Sequence, residues 1–167
     1  PGAWIVEPDG VLAAVGPGDL ITNERFGDFQ LDLEFKLAKL ANSGVFIRID
    51  DPGDIVQTGI EVQLCDSFGK SQPQTFDCGA IFDCLAPSKN MVKPPGEWNR
   101  LRVEARGPWI LVEMNGERII EMDLRLWTEP GKNPDGDTNK FEKAYKDMAR
   151  EGHIALQYHG QPVWYRN

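Results

Sequence analysis

A chain of 167 residues, 41% hydrophobic and 26% charged, has the size of one domain and is too apolar to be disordered. Its 26 acidic residues outnumber 18 basic ones for a net charge of -8, and no basic tract is present, which argues against binding nucleic acid by phosphate neutralisation. Seventeen glycines and twelve prolines favour many short strands, and no apolar run approaches the roughly 20 residues that a membrane-spanning helix needs.

The dominant pattern is alternation with a period of two, the mark of half-buried strands. From Gln30 to Leu37, the residues Leu31, Leu33, Phe35 and Leu37 share one face and Gln30, Asp32, Glu34 and Lys36 the other. Val45, Ile47 and Ile49 then oppose Phe46, Arg48 and Asp50, and Ile60, Val62 and Leu64 oppose Glu61, Gln63 and Cys65. Further on, Leu101, Val103 and Ala105 oppose Arg100, Arg102 and Glu104. A strand from Trp109 to Met114 runs into Asn115-Gly116, a two-residue hairpin signal, and Glu117 to Asp123 returns. Near the end Ile154, Leu156 and Tyr158 oppose His153, Ala155, Gln157 and His159, and Val163 to Arg166 is a last short strand.

One segment reads as a helix. Between Thr138 and Glu151 the residues Phe141, Ala144, Tyr145 and Met148 fall at helical spacing, with Asp137 or Thr138 as the N-cap and Gly152 as the stop. A turn-rich loop precedes it, and a second long connection runs from Asp66 to Gly96. These features predict an all-β, two-sheet antiparallel sandwich over residues 1–167, with one short helix carried in a loop. The cysteines Cys65, Cys78 and Cys84 form no CxxC, so neither a zinc ribbon nor a thioredoxin-type pair is indicated. They read as buried thiols, with a Cys78–Cys84 bridge open to an oxidising compartment.

The polar faces of the strands differ in kind. Asp32, Glu34, Lys36 and Arg100, Arg102, Glu104 are strings of alternating charge, as on a solvated sheet. Arg48, the set Glu61, Gln63 and Cys65, and the set His153, Gln157 and His159 are mixed hydrogen-bonding groups of lower charge. Sugar hydroxyls are held by planar donors and acceptors of this type, although an ordinary exposed strand can carry the same residues.

The stretches Asn42-Ser-Gly-Val-Phe-Ile-Arg48, Gly59-Ile-Glu-Val-Gln63 with Asp66, Lys93-Pro-Pro-Gly-Glu-Trp-Asn99, Asn115-Gly116, Gly152-His-Ile-Ala-Leu-Gln-Tyr-His159 and Val163-Trp-Tyr-Arg-Asn167 occur in that order. With Trp4, Gly10-Val-Leu12, Leu20-Ile-Thr22 and Asp28-Phe29 before them, they resemble the 3-keto-disaccharide hydrolase domain family over essentially the whole chain. The resemblance implies a concanavalin-like jelly roll, a site on the concave sheet, a sugar or keto-sugar ligand, and a secreted or periplasmic protein. A chain that starts at Pro1 without Met fits the loss of a leader or a neighbouring domain. The loop from Asp66 to Cys84 departs from the family pattern, so substrate choice is expected to differ there.

The jelly roll also houses retaining glucanases, which need two carboxyl groups about 5 Å apart. On one strand face such groups stand two or four residues apart, yet Glu61 is followed by Gln63 and Cys65, with Asp66 on the opposite face. A partner from a loop, such as Glu97, would be required. A 3-keto sugar asks for less, because its ketone acidifies the C2 hydrogen: one base, one group for the enolate oxygen and one donor to the leaving oxygen. Glu61 and His159 are the candidate catalytic residues. Arg48 and Lys93 are candidates for the enolate, and Gln63, Gln157 and Asp66 for holding substrate. Trp98 reads as a strand-start anchor or a sugar platform. Glu61, Asp66 and His159 offer oxygen and imidazole donors to a divalent metal, but no tight spacing demands one, and no other cofactor is implied. A non-catalytic carbohydrate-binding module of the same fold would use these groups only as hydrogen-bond partners.

Overall fold

The computed structural model describes residues 4–167, so the first three residues of the domain expected over 1–167 lie outside it. The strands are β1 (Trp4–Val6), β2 (Leu12–Ala14), β3 (Leu20–Ile21), β4 (Phe29–Leu37), β5 (Asn42–Ile49), β6 (Ile60–Cys65), β7 (Trp98–Arg106), β8 (Trp109–Met114), β9 (Glu117–Asp123), β10 (His153–Leu156) and β11 (Val163–Arg166). They form two antiparallel sheets, one of seven strands in the order β1-β2-β11-β4-β7-β8-β9 and one of four in the order β3-β10-β5-β6. This is the two-sheet sandwich that the alternation predicts and the jelly roll that the resemblance implies. No helix among the described residues is long and apolar enough to cross a membrane.

The core lies between the sheets. Leu33, Phe35 and Leu37 of β4, Leu101 and Val103 of β7, and Ile110, Val112 and Met114 of β8 face Val45 and Ile47 of β5 and Ile60, Val62 and Leu64 of β6. Each of these larger side chains contributes about 1.5–3 kcal/mol by leaving water. The β8–β9 hairpin turns at Asn115 and Gly116, whose φ values of 52° and 87° are those that an Asn-Gly turn adopts readily. On the outer face of the larger sheet, Trp98 lies under two cations, Lys36 Nζ at 5.0 Å and the Arg166 guanidinium at 4.0 Å from the ring centroid. It anchors the start of β7 and takes no part in the face described below.

The helix expected from Thr138 to Glu151 does not form; that stretch carries only a 3-10 turn at Tyr145–Asp147. Phe141, Ala144, Tyr145 and Met148 are all buried, so the spacing marked burial and not conformation. The groups a helix would use are engaged elsewhere. The Phe141 carbonyl, which would accept from Tyr145 N–H, accepts from Gly131 N at 2.7 Å. The N–H groups of Lys140, Phe141 and Glu142 donate to the side chains of Asp83, Asn139 and Gln57. The α-helical turn is instead α1 (Ile55–Thr58), capped by Asp54, which accepts from Gln57 N at 3.2 Å.

Candidate functional site

The outer face of the four-stranded sheet is a grid. Antiparallel register places Glu61 opposite Phe46, Gln63 opposite Gly44 and Cys65 opposite Asn42. On the other side of β5, Ala155 stands beside Phe46, and the Gln157 N–H donates to the Gly44 carbonyl at 2.9 Å. His159 follows two residues later, its Nδ1 3.4 Å from the Asn42 amide nitrogen. The three rows are therefore Ala155–Phe46–Glu61, Gln157–Gly44–Gln63 and His159–Asn42–Cys65.

Gly44 is what lets the middle row work. A Cβ there would stand 2.5 Å from Glu61 Oε1, so the carboxylate lies across the space a side chain would fill. Glu61 is 7% exposed, and burial pushes its pKa up from 4.5 to about 7, with Lys140 opposing the rise and Asp19 adding to it. With its NH2 turned toward Glu61, Gln63 donates to Oε1 at 3.0 Å and to the Ser43 carbonyl at 3.2 Å. The Gln63 amide is also 2.9 Å from that of Asn42. Hydrogen bonds thus link Glu61 to Gln63 and Asn42, and Asn42 reaches His159. An acid that is half ionised near neutrality and an exposed imidazole can exchange protons with one ligand.

The free edge of β6 is covered by the segment from Phe76 to Phe82. Gly79 N and Ala80 O bond the Gln63 backbone, Phe82 N donates to the Glu61 carbonyl at 3.0 Å, and Cys65 Sγ donates to the Phe76 carbonyl at 3.5 Å. Lys140 Nζ sits 4.2 Å from the Phe82 ring centroid, which brings a cation to the Glu61 end. Asp19 accepts from Tyr158 N at 3.1 Å on the β10 side. The Tyr145 hydroxyl is buried beside the Cys84 thiol, near Glu61 and Asp83, and among the described residues no nitrogen or oxygen bonds it.

Other residues expected at the site are placed elsewhere. Arg48 does not share this face. A bulge in β5 sets Phe46 and Ile49 opposite Ala155 and His153, and Arg48, with φ of 54°, is turned between the sheets. There it is 1% exposed, donating to the Gly107 carbonyl at 2.7 Å and the Gly27 carbonyl at 3.4 Å, and it pairs with Asp28 at 3.3 Å. Gly152, expected to stop a helix, allows this crossing: a Cβ on it would lie 2.3 Å from the Arg48 carbonyl carbon. The Asp66 carboxylate accepts from Leu40 N at 2.9 Å and supports a turn whose Leu40 has φ of 59°. Lys93 bonds the Trp98 carbonyl at 2.9 Å, by the start of β7 in the larger sheet. His153 Nδ1 is 2.9 Å from the Thr22 carbonyl.

Among the described residues no three His, Cys, Asp or Glu side chains converge as metal ligands, so Glu61, Asp66 and His159 are not assembled into a donor set. The three cysteines are free thiols. A cavity of about 620 Å³ opens between the sheets among Leu12, Leu20, Leu31, Leu33 and Leu156, and none of the grid's polar residues lines it. Of the groups around Glu61, sequence reading missed Asn42, Lys140 and Asp19. Asn42 and Gly44 had a usable signal, because they extend the alternation of β5 on the Phe46 face.

The family model described as the 3-keto-alpha-glucoside-1,2-lyase-like domain matches residues 1–167. A curated relative from Bacteroides thetaiotaomicron, named 3-keto-disaccharide hydrolase, is 26% identical over 203 residues that cover 100% of this chain and 69% of the relative. A crystal structure of a candidate glycosyl hydrolase from Parabacteroides distasonis ATCC 8503 is 37% identical, with a TM-score of 0.90 over 98% of this chain and 87% of that one. The carbohydrate-binding module CBM66 of Bacillus subtilis shares the fold at 13% identity and a TM-score of 0.58, covering 100% of this chain and 89% of that one. The chain belongs to the 3-keto-alpha-glucoside-1,2-lyase-like domain family and is a glycosyl hydrolase-like domain.

Proposed function

We propose that this domain cleaves 3-keto-glycosides, 3-keto-disaccharides among them, by removing the C2 proton and eliminating the substituent at C1. The C2–H electron pair moves into a C2–C3 enolate, the enolate expels the C1 oxygen to leave a 1,2-ene, and water adds across that bond to complete hydrolysis. The supporting observation is the grid itself, in which Glu61 and His159 flank a glycine floor and are connected through two amides.

His159 is exposed and takes the C2 proton. Once the Gln63 oxygen faces Asn42, the Asn42 amide must turn too and donate to it; its oxygen then meets His159 Nδ1, which carries the hydrogen and leaves Nε2 as base. Glu61, with its pKa raised to about 7 by burial, remains partly protonated near neutrality and supplies a proton to the departing oxygen. Lys140, the cation that acts on Glu61, stabilises the enolate oxygen, and Gln63 and Gln157 hold hydroxyls. Retaining glucanase chemistry is disfavoured, since Asp66 is engaged by the Leu40 N–H and Glu61 lacks a paired carboxylate on its strand face.

The test is incubation with methyl 3-keto-glucoside and with methyl glucoside, following released methanol by NMR. Cleavage of only the keto compound is expected, with solvent deuterium entering C2. Glu61→Gln and His159→Gln should each lower turnover about 10²-fold, the scale of general acid–base catalysis. Binding of both compounds with turnover of neither would leave a carbohydrate-binding module. The reading carries with it a secreted or periplasmic location, taken from the family resemblance. Cell fractionation of the source organism tests that point, and a cytoplasmic pool alone would refute it.

A further inference from the structure

The loop from Asp66 to Cys84 presents an exposed aromatic side chain beside the grid. Phe76 is 52% exposed and packs into neither hydrophobic cluster of the fold. Its carbonyl accepts from Cys65 Sγ at 3.5 Å, which fixes Phe76 at the row His159–Asn42–Cys65. Cys65 lies four residues along β6 from Glu61, about 13 Å at the usual strand rise. That is more than one sugar ring extends, and it suits two.

The ring is held by its surroundings and not by a core. Asp77, next in sequence and buried, accepts from Gln74 N at 2.6 Å and pairs with Lys70 at 2.7 Å. The Lys70 ammonium rests 4.9 Å from the Phe76 centroid. Ser67 Oγ accepts from Cys78 N, and Asn90 donates to the Ser67 and Lys70 carbonyls at 2.6 and 3.1 Å. A loop fastened at so many points loses little entropy when a ligand settles on it.

We propose that Phe76 is the stacking platform for the leaving-group sugar, the second ring of a disaccharide whose 3-keto ring lies over Gly44 between Glu61 and His159. The apolar face of a pyranose lies on the ring face opposite the Lys70 ammonium, which sits over the phenyl ring and is held there by Asp77. This assignment rests on the keto-glycoside reading of the site and adds to it a selection for disaccharides over glycosides with a small leaving group.

The experiment compares wild type, Phe76→Ala and Phe76→Trp on a 3-keto-disaccharide and on methyl 3-keto-glucoside. It also titrates the parent disaccharides trehalose and cellobiose calorimetrically. Phe76→Ala should raise KM for the keto-disaccharide about tenfold, the scale of one aromatic contact, and leave methyl 3-keto-glucoside turnover unchanged; Phe76→Trp should restore the preference. Equal losses on both substrates, or no loss on either, would overturn the subsite. Should wild type cleave neither keto compound, the reaction is wrong and the titration decides. Weaker disaccharide binding in Phe76→Ala then upholds the platform, and unchanged or absent binding refutes it.

Discussion

Replacing Glu61 with Gln should stabilise the fold in alkaline solution and not in acid. Glu61 is nearly buried, and burial raises its pKa from 4.5 to about 7. Below pH 4.5 the carboxyl is protonated in both the folded and the unfolded chain, so it adds no pH-dependent difference. Between 4.5 and 7 the unfolded chain ionises first, and above 7 both forms are charged, with the folded one poorly hydrated. Folding stability therefore falls across that window, by about 3 kcal/mol for this group. Gln keeps the shape, has no charge to bury and can still meet the Gln63 amide. Urea titrations of both proteins at pH 4.5 and 8.5 measure the effect. Expected are near-equal stabilities in acid and a gain of about 2–3 kcal/mol for the variant at pH 8.5, worth roughly 4–12 °C in Tm for a chain of this length. An equal gain at both pH values, or none at 8.5, would refute the argument that ionised Glu61 is strained by burial.

Other substitutions separate the site from the scaffold. Gly44→Ala should displace the Glu61 carboxylate from its place across β5 and cut turnover about tenfold or more, with circular dichroism unchanged because a flexible side-chain end gives way. Arg48→Met should cost about 3 kcal/mol or more in urea, since it strips the Gly27 and Gly107 carbonyls and Asp28 of their buried donor, while KM stays constant in the folded fraction. Cys65 and Cys84 have their thiol pKa pushed up to about 12 by burial, and Cys78 higher still, so iodoacetamide at pH 8 should leave all three unmodified in the native protein and alkylate them in urea.

In the larger sheet β4 and β7 could be read residue by residue because nothing in their pairing breaks alternation. Asp32, Glu34, Arg100 and Arg102 face water, pairing with one another or with Arg166, and Leu33, Leu101 and Val103 face the core. The smaller sheet is where pattern reading failed. Alternation carried past Ile47 puts Arg48 on the Phe46 face, but one extra residue in β5 reverses every later side chain, and a bulge leaves no mark on a period of two. The stretch from Thr138 to Glu151 failed for a related reason. Four apolar residues at helical spacing fill the core equally well from an irregular strap, once Gly131, Gln57, Asn139 and Asp83 have taken its backbone groups.

These irregularities collect around the outer face of one sheet. A carboxyl group is buried on the face turned away from the core, a glycine interrupts the middle of a strand, and a bulge withdraws an arginine from the face. An aromatic ring is left in water at the edge. Each runs against stability, or against the alternation that made the larger sheet legible, and strain of this kind is retained where it serves a site. The arrangement is also internally linked. Gly44 without Glu61 would be a weak point in β5, and Glu61 without Gly44 would have no room for its carboxylate. The Phe76 to Phe82 segment bonds both Gln63 and Glu61 along the backbone and so ties the loop proposed to meet substrate to the groups proposed to carry protons. Substitutions that relieve one of these features should therefore stabilise the fold and weaken the reaction together, as Glu61→Gln tests most directly.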